Sequence, residues 1–134
     1  MTHLLDTNVC IAAMRGNPQV LGHLRSHVPA DCGVSMVTLY ELYSGVERCR
    51  QPVAERHKVD AFVRPLHLLP FDEIAAAHTA RIRWHLEQRG EVIGPYDLML
   101  AGQALALGVS LVTHNTGEFK RVPGLMLEDW QSAD

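Results

Sequence analysis

Four side chains in this sequence could do chemistry together if folding gathers them: Asp6, Glu41, Asp97 and Asn115. Carboxylates that crowd together repel, and one takes up a proton unless a cation intervenes. Mg²⁺ suits such a place, because it prefers hard oxygen ligands in octahedral geometry and keeps several waters. A metal so held can polarise a phosphoryl oxygen, deliver a hydroxide or stabilise a leaving oxygen. The chemistry to look for is therefore phosphodiester cleavage.

The elements that would position these residues are legible in the sequence. A first strand, His3–Leu5, stops abruptly at Asp6, and a helix covers Val9–Arg15. Gly16-Asn17-Pro18 breaks it, and Pro18 can open a second helix running to about His27. After a turn at Pro29-Ala30-Asp31 comes a second strand, Cys32–Val34, closed by Ser35, which can cap a helix over Met36–Arg48. Pro52 precedes a helix over Val53–Val63, and Leu66–Leu69 forms a third strand closed by Pro70. The longest helix runs from Asp72, its N-cap, to Arg89, with Ile74, Ala75, His78, Ile82 and Leu86 along one face. Gly90 ends it. Tyr96–Leu107 is the next helix, ended by Gly108 just past its C-terminus. Val109–Thr113 is the clearest strand. A polar loop at His114–Gly117, a turn at Pro123-Gly124 and a last strand at Leu125–Leu127 follow, with Trp130 pinning the tail.

Strands alternate with helices throughout. That pattern predicts a three-layer α/β/α sandwich, with a mainly parallel central sheet of about five short strands. A chain of 134 residues suits one compact domain. In open sheets of this kind ligands bind just outside the carboxyl ends of the strands. Asp6 ends the first strand, Glu41 lies in the first turns of the helix after the second, and Asp97 lies in the first turn of the helix before the fourth. Asn115 follows the fourth strand. The topology can bring all four to one edge. Each acid also has a plainer role open to it. Asp6 could cap the helix near Val9, Glu41 could close a capping box with Thr38, and Asp97 could simply favour a helix N-terminus. Those roles explain each acid locally but not their gathering on one edge.

Other features exclude classes of function. Cys10, Cys32 and Cys49 share no Cys-x-x-Cys spacing, which predicts reduced, buried thiols in a cytoplasmic protein. The sequence shows neither a signal peptide nor an apolar run of membrane-spanning length. The net charge of −3 gives no general basic excess for nucleic acid, although ten of the twelve basic residues are Arg. Eight His without His-Glu-x-x-His or finger spacing do not make a zinc site. His114, beside Asn115, could touch RNA or lie on a loop surface. Arg81, Arg83, Arg89 and His85 could hold an RNA backbone or form a solvated helix face. Tyr40, Tyr43, Trp84 and Phe119 could stack an unpaired base or serve a core or interface.

The segments Leu4–Asn8, Ser35–Gly45, Gly94–Ala101 and Leu111–Phe119 together make the sequence resemble PIN-domain proteins. More narrowly it resembles the VapC ribonuclease toxins of bacterial type II toxin–antitoxin modules. Order, spacing and length agree over essentially the whole chain. The resemblance implies a PIN-like fold over residues 1–134 and an endoribonuclease dependent on Mg²⁺ or Mn²⁺. By motif position it makes Asp6, Glu41 and Asp97 the metal-binding catalytic acids. Where the family often has a fourth acid this chain has Asn115, with Glu118 three residues on. Asn115 could bind through its carbonyl or a water, and Glu118 could supply the charge or be a surface acid near Lys120 and Arg121. Thr7 and Asn8 would orient Asp6, and Thr113 a water or phosphate. The implied partners are a VapB-type antitoxin, a second copy of the toxin, and DNA only through the antitoxin. The Gly94–Asp97 and Thr113–Thr116 wording is most like members that cut initiator tRNA in its anticodon loop.

Rival functions separate on residues. A haloacid-dehalogenase-like phosphatase needs an Asp two residues after the first; Asn8 stands there. A receiver domain needs a phosphoacceptor after the third strand, and Asp72 is placed poorly for it. A non-catalytic binding module would keep the fold without the metal. Purified protein should therefore leave a small phosphomonoester such as p-nitrophenyl phosphate intact while cutting RNA. Equal vigour on both would favour the phosphatase.

Overall fold

Right-handed crossovers that move one way along a parallel sheet place their helices on one face, and crossovers that move back use the other. The computed structural model, which describes residues 1–131, is arranged in this way. Strand β1 (His3–Leu5) is central. Helices α1 (Thr7–Met14) and α2 (Pro18–Arg25) lead to β2 (Cys32–Ser35), and α3 (Met36–Arg48) and α4 (Pro52–Val63) lead to β3 (His67–Leu69). Helices α5 (Glu73–Arg89) and α6 (Pro95–Leu107) then carry the chain back to β4 (Ser110–Val112) on the other side of β1. A short helix α7 (Thr116–Phe119) precedes β5 (Leu127–Glu128). The sheet order is β3-β2-β1-β4-β5, and every pair is parallel. The order reverses between β1 and β4, so a crevice opens beyond their carboxyl ends.

The three inner strands, β2, β1 and β4, are short but mostly buried, so they read as apolar pairs rather than alternating patterns, whereas the edge strands β3 and β5 are more exposed. Leu4 and Leu111 face one core, with Ile82, Leu86, Leu98 and Ala101 of α5 and α6. Their neighbours Leu5 and Val112 face the other, with Val9, Val20, Leu42 and Val59 of α1 to α4. Register sets this division: Leu4 pairs with Leu111, Leu5 with Val34 and Val112. Trp130 is fully buried in the second core, and its indole N–H donates to Glu128 Oε1 at 2.8 Å, which pins the chain beyond β5.

Several boundaries differ from the sequence reading. The first helix starts at Thr7 rather than Val9, and the second ends at Arg25, where Ser26 Oγ donates to the His23 carbonyl. Pro52 and Pro95 occupy first helical positions, where a missing N–H costs nothing. Leu66 lies outside β3, and the polar loop after β4 winds into α7. The last strand is 127–128, because the Leu125 N–H turns back to the Val122 carbonyl while Glu128 pairs with Val112. Cys10 and Cys32 are buried as expected; Cys49, at the end of α3, is only half-buried. Gly90 and Gly108 both adopt the left-handed conformation that ends a helix, at φ 66° and 68°.

Helices α5 and α6 approach closely because Gly102 faces Thr79. A Cβ at Gly102 would collide with the Thr79 side chain and stand 2.8 Å from its backbone N. Gly102→Ala should therefore lower stability by about 1–3 kcal/mol. Gly45→Ala, on α3 with nothing within 4 Å of the added atom, should instead gain about 0.5–1 kcal/mol. Urea midpoints of the two variants test the contrast.

Candidate active site

The crevice beyond β1 and β4 is where the acids meet. Asp6 continues β1, and its N–H donates to the Val112 carbonyl at 3.0 Å, so the residue is held by the sheet itself. Its side chain turns inward and is only 4% exposed. The backbone N–H of Val9 donates to Oδ1 at 2.8 Å, the N–H of Asn8 adds to it, and the Thr113 hydroxyl donates as well. Asp6 is thus the N-cap of α1 and a pocket acid at once. Burial is the largest influence on it and raises its pKa above the ordinary carboxyl value. The Thr113 and backbone hydrogen bonds pull the other way, and the nearby charge of Glu41 adds to the rise.

Glu41 reaches the pocket from the second turn of α3. The Thr7 hydroxyl donates to its Oε1 at 2.7 Å, which leaves Oε2 open. Thr7 also stands 3.1 Å from the buried Thr38 hydroxyl. One hydroxyl carries one proton, so Thr38 completes the chain by donating to Thr7. The capping-box reading of Glu41 with Thr38 falls here: Ser35 caps α3, accepting from the Val37 N–H at 3.0 Å.

Asp97 sits in the first turn of α6, behind Gly94 and Pro95. It is half-buried, and among the described residues no donor hydrogen-bonds to its carboxylate. Its pKa is pushed up to about 6, first by burial and then by the charges of Asp6, Glu118 and Glu41. The charges of three acids from three other segments therefore all act on Asp97. Glu118 belongs to this set rather than to a surface pair with Lys120 or Arg121. Asn115 joins it indirectly: its Nδ2 donates to Glu118 Oε2 at 3.1 Å, and its backbone N–H donates to the Thr113 hydroxyl at 3.0 Å.

The supporting residues divide the work differently from the sequence reading. Thr7 orients Glu41 rather than Asp6, and Thr113 is fully buried against Asp6 rather than open to a water or phosphate. Asn8 serves Asp6 through its backbone, with its side chain exposed. His114 is exposed, with Nδ1 3.2 Å from the Asp129 carboxylate. Phe119 is core and cannot stack a base. Thr38 is not a cap for α3; its buried hydroxyl meets Thr7, which the sequence of a helix cannot signal.

Among the described residues no three Asp, Glu, His or Cys side chains already close on one point as a finished metal cage. Charge coupling reaches further than direct ligation, so the two findings describe one open cluster. Its donors are all hard oxygens, and among the described residues no cation pairs with Asp6, Glu41, Asp97 or Glu118. That fits an ion that keeps much of its hydration, as Mg²⁺ does.

A sheet in this order with this acidic crevice defines a class, and the matching family model is the PIN domain, over residues 3–125. The tRNA(fMet)-specific endonuclease VapC of Salmonella typhimurium is 38% identical over 95% of this chain and 96% of its own. The DNA-bound VapBC structure from that organism superposes with a TM-score of 0.93 at 37% identity, covering 97% of this chain and 98% of its own. A VapBC complex of Rickettsia felis bound to a promoter DNA fragment gives 0.91 at 32%, covering 97% and 99%. The chain belongs to the VapC family of PIN-domain ribonuclease toxins of toxin–antitoxin systems. It is an endoribonuclease of a family that is typically metal-dependent.

The raised Asp97 carboxyl has a consequence for stability. Asp97 binds its proton more tightly folded than unfolded, so the metal-free fold loses stability as pH rises from about 3.8 to about 6. Asp6 contributes in the same direction. Metal-free Asp97→Asn should be more stable than the parent at neutral pH, and the gain should vanish below about pH 3.8, as read by urea unfolding across pH.

Proposed function

We propose that Asp6, Glu41 and Asp97 are the catalytic acids, and that with Glu118 and Asn115 they hold Mg²⁺, for which Mn²⁺ can substitute. The observation that carries this is the convergence of three other carboxylates on Asp97, from β1, α3 and α7. A divalent cation bound there supplies Lewis-acid polarisation of a phosphoryl oxygen and a water acidic enough to attack it. The chain's own residues supply position. Asp6 is locked in place by the Val9 and Asn8 N–H groups and the Thr113 hydroxyl. Glu41 is locked through Oε1 by Thr7 and offers Oε2. Asp97, with no donor on it, is the acid free to adjust. Asn115 restrains Glu118 and contributes no charge, which leaves that side of the pocket weaker.

The substrate proposed is RNA, and specifically initiator tRNA cut in its anticodon loop. What supports it is the name of the Salmonella relative and the Gly94–Asp97 and Thr113–Thr116 segments. The partners proposed are a VapB-type antitoxin, a second copy of the chain, and DNA reached through the antitoxin; the DNA-bound VapBC complexes of Salmonella and Rickettsia support the antitoxin and DNA. The site of action proposed is the cytoplasm; among the described residues no helix is long and apolar enough to cross a membrane.

Metal-stripped protein should leave cellular RNA intact and regain cleavage with Mg²⁺ or Mn²⁺. Asp6→Asn should reduce the rate by more than roughly 100-fold, beyond the effect typical of residues that only orient a metal ligand. Mapping of 5′ ends after brief induction, against Asp6→Asn, should show one dominant cut in initiator tRNA. Cuts spread over mRNA would refute that target, and intact RNA with re-metallated protein would refute the site.

A further inference from the structure

The pocket is built of acids, and acids do not grip a nucleobase. The residues immediately before two of them offer such a grip. Tyr40 precedes Glu41 on α3, and Tyr96 precedes Asp97 on α6. Their rings meet at 62°, with centroids 5.7 Å apart. The Tyr96 hydroxyl donates to the Tyr40 hydroxyl at 3.4 Å. The hydroxyls are closer than the centroids, so the rings lean together at their tips and splay towards their helices. Both stay open to solvent, 56% and 41% exposed. Their sequence neighbours Glu41 and Asp97 are the acids themselves, and the charge of Glu41 is felt at the Tyr96 hydroxyl, so the exposed pair lies beside the acids. Of the other candidate rings, Trp84 is exposed on α5, and the remaining two are committed. Tyr43 donates to Asp60 and lies under the Arg56 guanidinium, and Phe119 is core.

We propose that Tyr40 and Tyr96 form the platform on which an unpaired base of the RNA substrate stacks, beside the phosphate that the acids address. Unpaired bases in loops are commonly read by stacking on aromatic rings. Stacking tolerates any sequence, because every base has a π face. The hydroxyl contact ties rings from two helices into one fixed shape, so little order is lost when a base lands. This inference deepens the ribonuclease reading of the site and depends on it.

The test is binding of an initiator-tRNA anticodon stem–loop RNA, read by fluorescence anisotropy with Mg²⁺ present. The protein carries Asp6→Asn so that the RNA survives. Adding Tyr40→Leu or Tyr96→Leu should weaken binding about 10-fold, whereas the Phe variants should bind nearly as the parent does. Abasic nucleotides placed one at a time in the loop should reveal one position whose loss matches the Leu change and is not additive with it. Leu variants that bind like the parent, Phe variants as weak as Leu, additivity at every position, or a parent that does not bind each overturn the platform. So does dissociation of a toxin dimer by the Leu changes in sedimentation, which would make the pair a contact between copies. Cleavage of the same RNA by the unmutated protein is scored separately. Cleavage that needs Asp6 while Leu variants still bind normally sinks only the platform; RNA left whole by the unmutated protein sinks the nuclease site.

Discussion

One buried carboxylate at the end of the central strand organises this protein. Asp6 stands where β1 leaves the sheet, bonded through its backbone to β4 and through its side chain to the start of α1 and to Thr113. Burying a charge is costly unless hydrogen bonds or a counter-ion compensate it. Here the hydrogen bonds compensate partly, and the remaining acids make the balance worse rather than better. The fold therefore holds a local excess of negative charge that a divalent cation would relieve. Stability and chemistry are coupled at this place: the arrangement that strains the metal-free protein is the one suited to hold a metal beside a phosphate.

The division of labour around Asp6 follows from topology. The strand order reverses between β1 and β4, so two carboxyl ends open on one crevice, and helices from both faces begin near it. Glu41 arrives from the face carrying α1 to α4, and Asp97 from the face carrying α5 and α6. Each is anchored in a different core, yet both act on the same small volume. That geometry places a rigid scaffold behind the acids, with the exposed Tyr40 and Tyr96 next to Glu41 and Asp97 in the chain.

Much of the fold was readable because its signals are local. Gly90 and Gly108 end helices, prolines open them, and apolar runs mark buried strands. Errors came where tertiary pairing overrides local pattern. Leu125–Leu127 looks like a strand, but β4 selects Leu127–Glu128 as its partner. His114–Gly117 looks like a loop, but α7 forms there and brings Glu118 to the acids. Glu41 looked like half of a capping box with Thr38, yet the cap is Ser35.

By itself the sequence determined the class of architecture and the family, and it singled out the acids proposed to act. Those depend on residue types, their order and their spacing. Only the tertiary structure decided how the acids are held and which of them interact. Thr7 serves Glu41 rather than Asp6, Thr113 is spent on Asp6, Asn115 works through Glu118, and the two tyrosines meet. Apart from the local Asn115–Glu118 bond, these contacts join residues from different segments brought together by the parallel crossovers. Their hydrogen bonds and charge couplings depend on distances of a few ångströms that no local pattern encodes.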